Sequence, residues 1–442
     1  MPLSFYLAKI IFLLAVCCFF TTIFLTAKYT LSFLAAHPKK KLAFSQPTKT
    51  LAKKKLHALD KFLPTKLTNK HAIFMVSFFL THFLFLTLLF YLFLTPGKKY
   101  DIPRDSFTAF LTHQLTINDT KHYHALAAFG YLNPRDGQAS LVFFPLYPFI
   151  IFLLLHLLPN YTLVGTLFNL CCLVLITKHW YNMVAARFSP TMAAISLGLF
   201  FYYPVSFITL TPQTEALFIL LSLLTFKNLQ QRQLPQASIW AFLAALTRPQ
   251  GFLLTIALIS YLYEQQRTNN ITKLRIKAVL FSLSPLLGLS IYLALNFYLS
   301  NRVNTFLQMQ DQHWHNTFQQ PLLTIYQLAH AIFQIDLATA TGRWGSALVY
   351  FMIACLAISY GCKKKFPLHY LTYPLASLLL TVSISNPMSA MRFFLVLFPI
   401  MIVGAHFFLS HKRTGAIYFY LLMLIQPLFW SLFVFYNGFI IC

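Results

Sequence analysis

The chain holds only nine acidic side chains in 442 residues, so candidates for acid–base chemistry are few. They are Asp60, Asp101, Asp105, Asp119, Asp136, Glu215, Glu264, Asp311 and Asp336. Six of them (Asp101, Asp105, Asp119, Asp136, Asp311, Asp336) collect in two polar stretches between apolar runs, residues 95–139 and 300–343. The first stretch runs on as INDTKHYHALAAFGYLNPRDGQASLVFFPLYPF, from Ile117 to Phe149. On a helix Asp119 shares a face with His122 and Tyr123. The apolar stretch Ala125 to Phe129 then ends at Gly130, a plausible helix stop. Such a helix, lying in a membrane interface, would hold Asp119 over a lipid headgroup. There the carboxylate can take a proton from an attacking hydroxyl, and His122 can donate a hydrogen bond. An ordinary solvated loop carboxylate is the alternative.

Negative charge that develops opposite such a base needs fixed cations or N–H donors. Arg248 sits within an apolar run, where an ionisable side chain is costly and functional by default. Snorkelling or helix pairing is its other use. Arg392, at the end of a later span, is the second candidate for the same anion, with interface anchoring as the alternative. Glu215 opens an apolar run, where it can orient an acceptor, assist a metal, or simply serve a helix N-terminus. Trp314, between His313 and His315, can offer a ring face to a ligand or belong to an aromatic belt. The two histidines lack helix-face metal spacing, and the seven cysteines form neither a zinc pattern nor a disulfide framework. With no Walker or GxGxxG loop either, no metal site and no cofactor is expected.

The elements that must position these groups follow from composition. Of all residues 58% are apolar and 10% charged, with a mean hydropathy of +0.65. Soluble domains carry about 25% charged residues, so most of this surface must face lipid. Apolar runs occupy Ile10–Ala27, Ala72–Leu94, Phe144–Leu158, Leu163–Ile176, Ala193–Leu210, Ala216–Phe226, Ile239–Tyr263, Ala278–Leu299, Leu348–Tyr360, Tyr370–Ile384, Phe393–Leu409 and Ile417–Ile441. They are continuous rather than alternating, which excludes a barrel. The expected fold is an all-α polytopic membrane protein with about 10–12 transmembrane or half-membrane helices, each full span needing about 20 residues.

The net charge of +25 is placed beside the spans. Ten lysines lie between His37 and Lys70, and Lys363–Lys365 and Lys412–Arg413 follow later spans. Basic residues beside spans mark the cytoplasmic side and rest against anionic headgroups. No aromatics interleave them for base stacking, so nucleic acid is not the expected partner. The two polar stretches then fall outside. The middle of the chain resists this scheme: counting every run as one crossing puts Lys178 and Arg187 outside. Runs interrupted at Pro145, Pro148 or Arg248 are therefore candidates for half-helices. The organisation read here is an N-terminal helix (1–36), a basic cytoplasmic loop (37–70) and a transmembrane domain (71–442).

A set of short motifs carries a family resemblance. Asp119, Tyr123, Gly130, Tyr131 and Phe143-Phe144-Pro145-Leu146-Tyr147-Pro148 resemble the W-D-x-x-x-Y…G-Y…F-F-P-L-Y-P pattern of the PIG-V family of mannosyltransferases and its bacterial relatives. Thr214-Glu215 after Pro204 resembles that family's S-P…Y-T-E-S segment. Leu246-Thr247-Arg248-Pro249-Gln250-Gly251 resembles its L-T-R-P-x-G, Trp314 a family Trp, and Arg392…Phe398-Pro399 its late R-Y…F-P. The matches keep their order from about Asn118 to Pro399. Three neighbours depart from the pattern: Asn118 stands where the family has Trp, and Gln213 and Phe393 where it has Tyr.

The resemblance implies a GT-C type glycosyltransferase that takes its sugar from a polyprenyl- or dolichyl-phosphate carrier and needs no nucleotide-binding domain. Under that reading Asp119 is the base of an inverting transfer, and Arg248, Arg392 and His122 hold the donor phosphate. Glu215, Tyr123 and Trp314 then contact acceptor or sugar. The expected sugar is a hexose, mannose first, and the acceptor a lipid or glycan at the outer face. A bacterial cytoplasmic membrane is the expected location, or the endoplasmic reticulum membrane in a eukaryote. The rivals are a lipid-linked-sugar transporter or flippase and an inactive subunit of a glycosyltransferase complex. Transporters usually show repeated halves, and no repeat is visible here.

Overall fold

The computed structural model describes residues 63–93, 105–116, 118–131, 137–268, 276–333, 344–387 and 389–411, with single residues among 21–28, at 60 and among 415–429. The expected first span, the last apolar run and the basic loop fall largely outside these residues. Asp101, Asp136, Asp336, Lys412 and Arg413 fall outside them entirely.

In chain order the helices are α1 (Asn69–Phe93), α2 (Phe107–Thr116), α3 (Thr120–Phe129), α4 (Leu146–Leu155), α5 (Tyr161–Arg187) and α6 (Pro190–Phe201). Then come α7 (Glu215–Gln230), α8 (Leu234–Ala245), α9 (Leu254–Thr268), α10 (Ile276–Ser282), α11 (Ser284–Ser300) and α12 (Thr305–Trp314). The last are α13 (Pro321–Ala331), α14 (Ser346–Lys363), α15 (Leu368–Val382), α16 (Ala390–Leu395) and α17 (Phe398–Ser410). Among the described residues, α1, α5 and α14 are long and apolar enough to cross a membrane. A fourth span forms if α10 and α11, bent by 47° at Leu283, are taken as one. Five further apolar helices (α4, α6, α8, α15 and α17) are shorter. The architecture is all-helical, with three or four full-length candidates where the sequence suggested more.

Helix α1 shows how lipid and protein divide one apolar run. Ala72, Val76, Phe79, Phe83 and Thr87 are buried along one stripe, while Phe74, Phe78, Phe85 and Leu92 face outward. Because both faces are apolar, the sequence hides the stripe that packing reveals. Inside the bundle, small residues let backbones approach. A Cβ on Gly288 of α11 would come within 2.8 Å of the Phe242 carbonyl and 3.0 Å of Ala245 Cβ on α8.

The helix contacts resolve the middle of the chain. Helix α4 has ten residues, about 15 Å at 1.5 Å per residue, half a bilayer core. The run Phe144–Leu158 is therefore not a full crossing. Conversely, Ile239–Tyr263 is not one helix: it breaks at Leu246–Arg248 into α8 and α9. The far end of α9 reaches the Lys-rich side, where Glu264 accepts from the Leu368 amide. Helix α5 ends beside the last residues of the basic loop. Tyr181 donates to the Pro64 carbonyl at 2.8 Å, and Asn182 Oδ1 accepts from the Leu67 amide at 2.6 Å. Lys178 and Arg187 consequently join the Lys-rich end rather than opposing it, as the charge rule requires.

Candidate functional site

At the opposite end, five separate segments bring their polar side chains to one point. Asp119 and Tyr123 come from the start of α3, Gln213, Thr214 and Glu215 from the turn into α7, and Arg248 from the α8–α9 break. Arg392 comes from α16, and Trp314 closes α12 nearby. The motif segments touch one another directly. Tyr131 donates to the Phe143 carbonyl at 2.6 Å, and the Leu146 amide donates to the Leu246 carbonyl at 3.0 Å.

Glu215 is the hub. It is the first residue of α7, where the positive end of the helix dipole favours a carboxylate. Its Oε1 accepts from Arg248 Nη1 and from Arg392 Nε, each at 2.7 Å. Arg392 spreads its remaining donors: Nη1 to Asp119 Oδ2 and Nη2 to the Gln213 side-chain oxygen, both at 2.7 Å. Arg248 also donates to Thr214 Oγ1 at 2.9 Å, and its guanidinium lies 5.9 Å from the centre of the Phe393 ring. Both arginines and Glu215 are buried, while the Asp119 side chain keeps 28% of its surface. The structure thus unites Asp119, Glu215, Arg248 and Arg392. It places Glu215 behind the arginines rather than at the open face that direct contact with an acceptor would need.

Tyr123 is buried within 3.4 Å of Thr214 Oγ1. Burial pushes its phenol well above the ordinary value, against the opposing pull of Arg248, so it serves as a neutral hydroxyl. Burial likewise lowers His124, which stacks on Tyr161 at 4.5 Å. His122 stacks on Phe143 at 5.0 Å and meets the edge of Trp314 at 6.1 Å. His122, Phe143 and Trp314 form an aromatic wall beside the charged cluster. Among the described residues, no group of three or more His, Cys, Asp or Glu is placed to hold a metal.

Gln213, Thr214, Phe143 and Phe393 were not singled out as site residues from sequence. Two of them occupy the positions that depart from the family pattern, and that was the available signal. Asn118, the third departure, has φ +62°. Asn tolerates this left-handed backbone far better than most residues do. Asn118→Gly is therefore expected to melt near wild type, whereas Asn118→Trp is expected to cost about 1–2 kcal/mol. Thermal melts of the two variants in detergent check this. Comparison with known proteins returns no matching family model, no matching curated protein and no matching solved structure.

Proposed function

We propose that this chain is a membrane glycosyltransferase that moves a hexose, mannose first, from a polyprenyl-phosphate carrier to a lipid or glycan acceptor at the outer face. The observation that carries the reading is the single cluster of Asp119, Arg248 and Arg392 around Glu215, at the end of the bundle opposite Lys178, Arg187 and Lys363–Lys365. Inverting transfer from a phosphate needs one accessible carboxylate and fixed positive charge within a few ångströms of it. Asp119 takes the acceptor's hydroxyl proton. Arg392 and Arg248, held rigid by Glu215, face the charge that grows on the departing phosphate. The His122–Phe143–Trp314 wall offers aromatic faces for the apolar side of a sugar ring.

The test is transfer of labelled mannose from polyprenyl-phosphate mannose into membrane glycolipid or protein, using membranes that contain the chain. Wild type is expected to transfer from the lipid-linked donor and not from a nucleotide sugar. Absence of transfer from mannose and other hexose carriers, with well-folded protein present, would move the reading to a transporter or an inactive subunit.

A further inference from the structure

We infer that the donor's phosphate itself releases the base: by taking Arg392 Nη1 away from Asp119, it frees the carboxylate for the acceptor hydroxyl. This rests on the donor reading above and adds a gate to it. The group that must accept a proton is bound, at 2.7 Å, to the cation that must hold the phosphate. Both tasks cannot be done with that ion pair closed.

The two carboxylates of the cluster are unequal partners for Arg392. Glu215 is fully buried, and its Oε1 contacts both guanidinium groups. Asp119 is 28% exposed at its side chain, and although it precedes α3 it makes no capping bond to that helix. The formal charges of Asp119, Glu215, Arg248 and Arg392 sum to zero, two negative against two positive. Within this cluster an arriving anion therefore gains an uncompensated guanidinium by displacing a carboxylate, and Asp119 is the one with a path to solvent.

The exchange also closes the cycle. In the transfer, the acceptor oxygen bonds to the anomeric carbon while the bond from that carbon to the phosphate oxygen breaks. The electron pair leaves with the phosphate, and the hydroxyl proton passes to Asp119. As a neutral acid Asp119 cannot compete for Arg392, so the phosphate stays. Loss of that proton to water restores the carboxylate, which again competes with the product phosphate for Arg392 and so hastens its exchange into the medium.

The experiment is calorimetric titration of the purified full-length protein in detergent with farnesyl phosphate, a short isoprenyl monophosphate. Asp119→Asn, which removes the competing charge while keeping the shape, is expected to bind roughly tenfold to a hundredfold more tightly than wild type. Asp119→Ala is expected to show the same gain, and a thermal melt of each variant checks folding. In an Arg392→Gln background the gain is expected to vanish, because it acts through that guanidinium. Binding that is equal or weaker in both Asp119 variants overturns the gate and leaves the donor reading intact. No binding by wild type or by either variant overturns the donor reading and the gate together.

Discussion

Glu215→Ala is expected to destabilise the protein by about 3–5 kcal/mol, the usual consequence of stripping one partner from a buried ion pair. Glu215 is 0% exposed, and its Oε1 takes contacts of 2.6–2.7 Å from two guanidinium groups that are themselves buried. Without it, Arg248 keeps Thr214, Gln250 and the Phe393 ring face, and Arg392 keeps Asp119 and Gln213. Two like charges would then face one another at the positive end of α7. Glu215→Gln, which keeps an acceptor oxygen without the charge, is expected to fall between wild type and alanine. The double replacement Glu215→Ala with Arg248→Met is expected to cost less than the sum of the two single changes, because it removes both halves of one pair. The readout is the melting temperature and the monodisperse fraction in detergent. An alanine variant that melts with wild type would show that the carboxylate does not hold the arginines.

Asp119→Asn is expected to lower sugar transfer by about 10²- to 10⁴-fold, the range typical of a lost general base. The amide matches the carboxylate in size and can still accept from Arg392 Nη1, but it cannot accept the hydroxyl proton at a useful rate. Stability is expected to change little, since the side chain is partly exposed and Arg392 retains Glu215 and Gln213. Loss of transfer with an unchanged melting temperature is thus the expected pair of results. Equal transfer by variant and wild type would remove Asp119 as the base. Loss of transfer accompanied by unfolding would assign it a structural role instead.

What could be read in advance and what could not divide along physical lines. That the chain is helical and apolar follows from composition, because lipid leaves the backbone few alternatives. Scarcity of ionisable residues narrows the candidates to nine acids, and the short motifs around Asp119 and Glu215 single out those two. Their pairing was not readable. Arg392 lies 177 residues from Glu215 and 273 from Asp119, and no local periodicity encodes such contacts. Nor could run length separate the half-length α4 from the paired α8 and α9, since apolar residues score alike in all three. The lysines gave the only hint that the crossing count was wrong, and the Tyr181–Pro64 and Asn182–Leu67 contacts supply the reason. Glu215 was read as a group for acceptor or metal because its position is informative while its neighbours are not.

The way the cluster is gathered also sets an order of assembly. A ribosome releases Asp119 first, then Glu215, then Arg248, whose pairing with Glu215 spans only 33 residues. These two can meet as soon as α7 and α8 insert side by side. Arg392 arrives some 140 residues after Arg248, and until then the Asp119 segment has no guanidinium from α16 to meet. A nascent chain stalled before α16 would carry Asp119, the buried Glu215 and Arg248, yet an incomplete cluster. Closure of the four-residue charge cluster is thereby tied to completion of the bundle.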